Sequence, residues 1–404
     1  MTNVFKNDFE ILHDDKYIYF DNAATTQRPR QVINAVSEFY RTINSNPLRG
    51  LYKWSVESTQ AYENSRRKIA EFIGAKDASE IIFTRNSTES LNLIAYSWGL
   101  NNIKKGDNIT VTILEHHSNL LPWQMVSKVT GASLTYIECS PDGEISDEEI
   151  ISRIPSNTKL VSAAEVSNVL GVRLPIEKIS KRAHKVGAVM VVDGAQSAPH
   201  IPIDVKALGA DFFVFSGHKI MAPMGIGVLY GKSELLEAMP PFLHGGEMIE
   251  SVSRYDAVYA PVPEKFEAGT VNAAGAVGLA AAIDYIKSIG FDTISQREEN
   301  LCRLLIEGIK TIPYAEYYGS KSAETHSGIV TFNIEGCHPH DVASILDTEN
   351  ICIRAGQHCA QPLHEHLGIP ASARASMYFY NDESEVERFI EALKKVRSWL
   401  GYEH

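Results

Sequence analysis

The 404 residues are 44% hydrophobic and 22% charged, which allows a sizeable core in two domains, or in one large domain with a smaller appendage. A net charge of −12 without a basic block argues against nucleic acid or an anionic membrane surface as a partner. The first residues lack a charged-then-apolar leader and no apolar run is long enough to cross a bilayer, so a cytoplasmic location is expected. The five cysteines are odd in number and show no Cys-x-x-Cys spacing, which argues against a disulfide framework or a structural zinc site.

Residues 17–20 form a short apolar run that enters Asp21-Asn-Ala-Ala-Thr-Thr26. Small residues there either let backbone approach a ligand closely or simply turn the chain into a helix beginning near Pro29. A helix over residues 55–73 should end at Gly74, and a strand over 80–84 precedes Arg85-Asn-Ser-Thr-Glu89. Asn86 and Glu89 have capping-box spacing, and Leu91, Ile94, Ala95 and Trp98 follow at helical period. Ser87 and Thr88 then lie at a helix N-terminus, which caps a helix and also suits a phosphate. The strand over 108–113 opens onto Glu115-His-His-Ser-Asn119. Adjacent histidines point in different directions and make a poor metal pair, so one of them either lies flat against a ring or hydrogen-bonds at the surface.

Strands over 133–136 and 159–164 follow, and then a helix with Ile176, Ile179, Ala183 and Val186 inward, stopped by Gly187. Residues 188–192 form an apolar, β-branched run ending in Asp193-Gly-Ala-Gln196, and residues 211–215 a second one ending in Ser216-Gly-His-Lys219. With residues 227–230 this makes seven candidate strands between residues 80 and 231, an α/β pattern with one large, mostly parallel sheet. Two strand tips offer a carboxylate and an amine to one crevice, where open α/β sheets bind ligands. Singly, such residues cap helices or pair at the surface. Together they meet the needs of pyridoxal 5′-phosphate (PLP): an amine to form a Schiff base and an acid to keep the pyridine nitrogen protonated.

Beyond the lysine, a polar loop over 266–272 leads into a small-residue helix over 273–289, and a seam is expected at Ile289-Gly-Phe. The pattern then changes to a helix over 294–311 and strands over 329–334, 351–354 and 373–380. A last helix is expected from Ser384, with Glu387 in capping-box position and Val386, Phe389, Ile390, Leu393, Val396 and Leu400 buried. The expected division is a large domain over 16–288 and a smaller α+β domain from 1–15 and 289–404. In the latter, Arg354-Ala-Gly-Gln-His-Cys359-Ala-Gln-Pro362 puts a cysteine in a polar loop between Arg354 and Arg374, where positive charge favours a reactive thiolate, whereas Cys352 in its apolar run should be core.

Taken with Asn22-Ala-Ala-Thr25, Ser87-Thr88-Glu89, Glu115-His-His, Val166-Ser-Asn-Val-Leu-Gly171, Phe266-Glu-Ala-Gly-Thr270 and Ala373-Arg-Ala-Ser376, these motifs make the chain resemble the SufS-type, or group II, cysteine desulfurases and selenocysteine lyases of the class-V aminotransferase group. The resemblance runs through essentially the whole chain. It implies the PLP-dependent transferase fold type I and conversion of L-cysteine to L-alanine, with a persulfide formed on Cys359 and passed to a SufE- or SufU-like sulfur-acceptor protein, by family default for iron–sulfur cluster assembly. It further implies that Lys219 holds PLP, Asp193 pairs with its ring nitrogen, Gln196 with its hydroxyl, and His116 stacks on its face. Thr88, Ser216 and His218 would bind the phosphate, with Thr270 reaching in from a second subunit, hence a homodimer. Asn168 and Arg374, with Arg354 beside them, would hold the substrate. His338 and His340 are a candidate docking point for the acceptor. Leu48, Glu165 and Gln357 depart from the family pattern, each standing where histidine is common. A rival reading keeps PLP but makes Cys359 incidental, as in a transaminase or a C–S or selenocysteine lyase, and a third is a protein of this fold that only binds a partner.

Overall fold

Runs of Val, Ile and Phe without polar alternation form strands buried on both faces, and the centre of this protein is built from them. The computed structural model describes residues 3–14, 16–322 and 325–402. The expected boundary residues 1, 15 and 404 lie outside the described residues. A seven-stranded sheet runs in the spatial order Ile81–Thr84, Gly227–Gly231, Phe212–Ser216, Val189–Asp193, Thr158–Ala164, Asn108–Thr112, Ser133–Ile137. Gly227–Gly231 is antiparallel to both its neighbours, and every other pairing is parallel. All seven lie where the apolar runs predict, within a residue or two at their ends.

Helices cover the sheet. Arg30–Thr42 and Lys53–Ile73 both pack along Ala273–Ile289, whose small residues allow close approach. A Cβ at Gly278 would stand 2.6 Å from Pro223 and 2.8 Å from Val36, so only glycine fits that crossing. Arg66, buried on the second of these helices, is clamped by Glu267 at 2.7 and 2.8 Å and packed between the rings of Tyr62 and Phe83. Glu267 also accepts from Tyr62 Oη and from the amide of Phe83, both at 2.7 Å. This ties the loop that bears Thr270 to the first strand of the sheet.

A second, antiparallel sheet runs Ala315–Tyr318, Ile329–Ile334, Ser372–Ser376, Arg354–Gly356. Its core joins Val330, Phe332 and Ala373 to Leu301, Leu305, Phe389 and Leu393 from the helices Phe291–Lys310 and Glu383–Trp399. Ile18 and Phe20 enter this core, because Ile18–Tyr19 pairs in parallel with Ile351–Cys352. Phe9 instead packs in the core of the larger sheet, beside Tyr380 and Tyr285. Among the described residues no single helix is long and apolar enough to cross a membrane.

Several expected elements differ. The run 351–354 divides at Ile353 into two short strands that pair with different partners. The strand expected to reach Tyr380 stops at Ser376, since the Tyr378 amide turns to the side chain of Asn381 and residues 378–380 fill the core with aromatic rings. The last helix is capped by Asp382, with Glu385 completing the reciprocal pair, rather than by Ser384 and Glu387; Leu400 lies beyond its end and is exposed. The hairpin Ile249–Val252 with Ala257–Tyr259, the strand Ala315–Tyr318 and the helices Pro339–Thr348 and Gln361–His366 were not expected.

Candidate active site

Parallel neighbours end at the same edge of a sheet, so the loops after Val189–Asp193 and Phe212–Ser216 share one crevice. Asp193 is the last residue of its strand, and Lys219 closes the short 3₁₀ turn Gly217–Lys219 that follows the next. That turn is fixed from the N-terminal segment: Thr25 and Thr26 hydroxyls donate to the carbonyl of His218 at 3.0 and 3.2 Å, and Thr26 accepts from the Met221 amide at 2.8 Å. The resulting cleft has a volume of about 330 Å³ and is lined by Thr88, His116, Asn168, Asp193, Gln196, Ser216, His218, Lys219, Arg354, Cys359 and Arg374. Asp193 and Lys219 therefore face one cavity.

Thr270 does not join them. It is exposed on a separate hollow shared with Glu267 and Asn272. Leu48 adopts a left-handed backbone with φ 77 and donates its amide to Thr59, also outside the cleft. Glu165 is buried, with Oε1 receiving Arg173 at 3.1 Å, and does not line the cleft as its neighbours Ala164 and Val166 do. Gln357 is spent on the carbonyl of Pro370 at 3.2 Å.

Electrostatically the floor of the cleft is under-solvated. Burial lowers the Lys219 amine to about 8; Asp193 opposes this shift, and Arg374 adds to it. Burial raises the carboxyl of Asp193, against the pull of Lys219. His116 is pushed down to about 3, mainly by burial and then by Lys219, so it is a neutral ring. Its Nδ1 accepts the Ser118 amide at 3.1 Å, which leaves the proton on Nε2. Burial, Lys219 and Arg28 likewise lower His218, to about 4.

Residues present fit PLP on the pattern of what is left unsatisfied. Gln196 donates to Ala23 O at 2.8 Å, but its Oε1 is buried without a partner, and a ring hydroxyl would supply the missing donor. Asp193 accepts the Ala195 amide at 2.9 Å, and a protonated ring nitrogen is the group that would hold it ionised. At the far side, Asn86 caps the helix Ser87–Leu93, whose first turn carries Thr88 toward Ser118 at 2.7 Å, while the Ser87 amide and hydroxyl both meet Ser216 Oγ, at 2.9 and 2.8 Å. Amides and hydroxyls gathered on a helix N-terminus suit a phosphate.

The thiol comes from the second sheet. Cys359 is exposed, and both it and His358 adopt left-handed backbone, φ 55 and 51. The carbonyls of that strained turn are held by the other layer: His117 N donates to Cys359 O at 2.6 Å and Asn168 Nδ2 to His358 O at 2.8 Å. Arg374 is buried; it donates to Asn168 O at 2.8 Å and to Asp21 at 3.4 Å, and its Nε has no partner. Burial lowers its guanidinium to about 10, with Asp21 opposing. Asp21 also takes Arg354, at 2.9 and 3.2 Å.

Sequence reasoning missed several supports of the site. Glu115, under His116, is raised to about 8 by burial and held by Thr112 Oγ1, Ala164 N and Asn119 at 2.6, 3.0 and 2.5 Å. Ser118, His117 and Asp21 were likewise unassigned. Only the charge of Glu115 beside two histidines could have signalled any of them.

The pattern of the family described as aminotransferase class-V matches residues 18–389. The chain belongs to this family. Within it, a Halalkalibacterium halodurans protein named "Probable cysteine desulfurase" is 48% identical over 95% of this chain and 94% of its own. A Haloferax volcanii cysteine desulfurase is 44% identical over 95% of this chain and 91% of its own. Among solved structures, the apo cysteine desulfurase of Thermococcus onnurineus superposes with a TM-score of 0.94 at 42% identity, covering 98% of each chain. Class-V aminotransferases of this kind are PLP-dependent, and the large sheet is the expected type I fold.

Proposed function

We propose that this PLP-dependent cysteine desulfurase carries the sulfur of L-cysteine on Cys359 as a persulfide and hands it to an acceptor protein, in the service of iron–sulfur cluster assembly. The observation that carries the reading is the meeting of Lys219, Asp193 and Cys359 in one cleft, although Cys359 lies in the turn that follows the strand Arg354–Gly356 of the other sheet. Bound PLP supplies an electron sink that loosens the bonds at the substrate's α-carbon. Lys219 would hold its aldehyde, Asp193 its ring nitrogen, Gln196 its hydroxyl, and His116 would lie on its face. Thr88, Ser216 and His218 would hold its phosphate.

Arg374 and Asn168 grip the substrate carboxylate, with Arg354 adding positive charge at the mouth. The Lys219 amine, lowered by burial to about 8, would have a neutral fraction near physiological pH, and in that form it would accept the α-proton. Cys359 Sγ then bonds the substrate sulfur while the C–S bond breaks and its electron pair stays on carbon. That carbon takes up a proton and leaves as the methyl group of alanine. His116, neutral with its proton on Nε2, is placed to hold or return a proton at the substrate.

A homodimer completes the site, supported by two features of this chain. Thr270 is exposed outside its own cleft, and Leu51, Trp54 and Tyr255 expose large apolar surfaces. The acceptor, SufE- or SufU-like, docks beside His338 and His340: both are exposed, and His340 Nε2 lies 3.6 Å from where a side chain on Gly356, three residues before the thiol, would begin. We assign the larger body to 16–288 and the smaller one to the remainder, with Phe9 packing across into the larger core and Ile18 and Phe20 into the smaller.

The deciding experiment supplies L-cysteine to the wild type and to Cys359→Ser. Alanine and protein-bound persulfide are expected from the wild type, and no persulfide from the variant. Undiminished sulfur release by the serine enzyme rejects Cys359 as the carrier.

A further inference from the structure

Two buried histidines and a serine beside the thiol form a chain whose proton positions can be deduced. His364 Nδ1 lies 3.1 Å from the carbonyl of Ala360, which can only accept, so Nδ1 carries a proton. Burial disfavours a second proton on this ring, so its Nε2 has a lone pair, and Ser372 Oγ, 3.0 Å away, must donate to it. With its one proton used, Ser372 can only accept from His358 Nε2 at 3.1 Å. His358 is itself pushed down to about 2, first by burial and then by Arg374, and stays neutral. Its Nδ1 is therefore a bare lone pair. That atom is buried without a partner, in a residue that lines the cleft and adjoins Cys359.

A buried acceptor left open costs stability unless something fills it. Arg374 also keeps an unpartnered Nε, which we assign to the substrate carboxylate; what then remains for His358 Nδ1 is a weak donor brought by the ligand. We infer that His358 Nδ1 accepts a hydrogen bond from the S–H of substrate cysteine, aiming its sulfur at Cys359, and that Ser372 and His364 hold the imidazole in the tautomer this requires. The inference rests on Cys359 being the sulfur carrier. During transfer the Cys359 S–S bond forms and the substrate C–S bond breaks toward carbon. The sulfur's own proton stays on it, donated to Nδ1 throughout. His358 is thus a positioning residue that loses and gains no proton.

Two isosteres separate the lone pair from the scaffold. Asn places an acceptor near Nδ1 but gives up Ser372, whereas Gln reaches Ser372 but offers nothing at Nδ1. In the holoenzyme, His358→Gln should lower kcat/KM for L-cysteine about five- to tenfold, the effect of one weak hydrogen bond. His358→Asn should stay within about threefold by the same reckoning. Selenocysteine is the control, because its selenol is ionised at neutral pH and has no proton to donate; its turnover should be spared in both variants. Gln retaining cysteine activity, Asn losing it while Gln keeps it, or equal loss with both substrates overturns the inference. If both variants lose cysteine activity, spared selenocysteine turnover supports it and lost turnover overturns it. Independently of activity, ¹⁵N NMR of histidine-labelled wild type, assigned with the Gln variant, should show His358 protonated at Nε2 only; a protonated Nδ1 refutes the tautomer. Failure of the Cys359 reading would show instead as sulfur release by Cys359→Ser.

Discussion

Glu267→Gln removes one charge and little else, and its cost can be reasoned from the packing. The Arg66 guanidinium has 1% of its side chain exposed and Glu267 3%, so neither can turn to water when the other is neutralised. Removing one member of a buried pair costs about 3–5 kcal/mol when the survivor is left uncompensated, and Arg66 keeps a second, part-exposed partner in Glu63 at 3.1 Å. An amide has one acceptor oxygen, so it keeps the Phe83 bond while its NH2 must donate to Tyr62 Oη and stand opposite Arg66 Nη2; Glu63, still on Arg66, places the loss toward the lower end. With an unfolding entropy of about 2.1 cal/mol/K per residue over 404 residues, the loss corresponds to a fall in Tm of about 4–6 °C. Calorimetry of the holoenzyme at low and high salt measures it, and the fall should be insensitive to salt because the pair is dry. A fall below about 1 °C for Glu267→Gln would refute the claim that this pair is desolvated.

The cofactor-free protein should show a pH signature of Lys219. Its amine falls from 10.5 to about 8 on folding, so below pH 8 the folded state must charge a group that its surroundings disfavour. The unfolded chain binds the extra proton between those values, and stability should rise with pH across that window. Urea titrations of the wild type and Lys219→Met should show the wild type gaining on the variant as pH rises from 8 to 10.5. A gap that is constant with pH contradicts the shift. His340→Ala should slow persulfide transfer to the acceptor severalfold while cysteine-dependent persulfide formation on Cys359 is unchanged; single-turnover assays of the two steps separate them, and equal loss of both removes its docking role.

Much of the large sheet could be read from the chain because its strands are covered on both faces. Residues 212–216 are buried throughout and apolar up to Phe215, and nothing else in the neighbourhood competes with that pattern. The hairpin Ile249–Val252 with Ala257–Tyr259 is largely exposed and carries no such pattern, so it escaped notice. The true cap of the last helix escaped for a different reason: Asp382 and Ser384 both belong to residue types that cap, and only the reciprocal bonds of Glu385 choose between them. At the site, Asp193 and Lys219 were legible because the sheet's connectivity brings consecutive strand tips together. The link from Ser372 to His358 and His364, the pairing of Asp21 with two arginines and the grip of His117 on the thiol's turn are bonds between distant segments. Local spacing holds no record of them.

The turn bearing Cys359 is attached to the opposite layer through main-chain oxygens, which every amino acid possesses. Exchange of the thiol for another side chain should accordingly leave the turn where it is, so an inactive serine enzyme can be used as a faithful trap for whatever normally docks there. Conversely, transplanting the nine-residue motif into a different scaffold would carry the reactive atom without its anchorage, since His117 and Asn168 would stay behind.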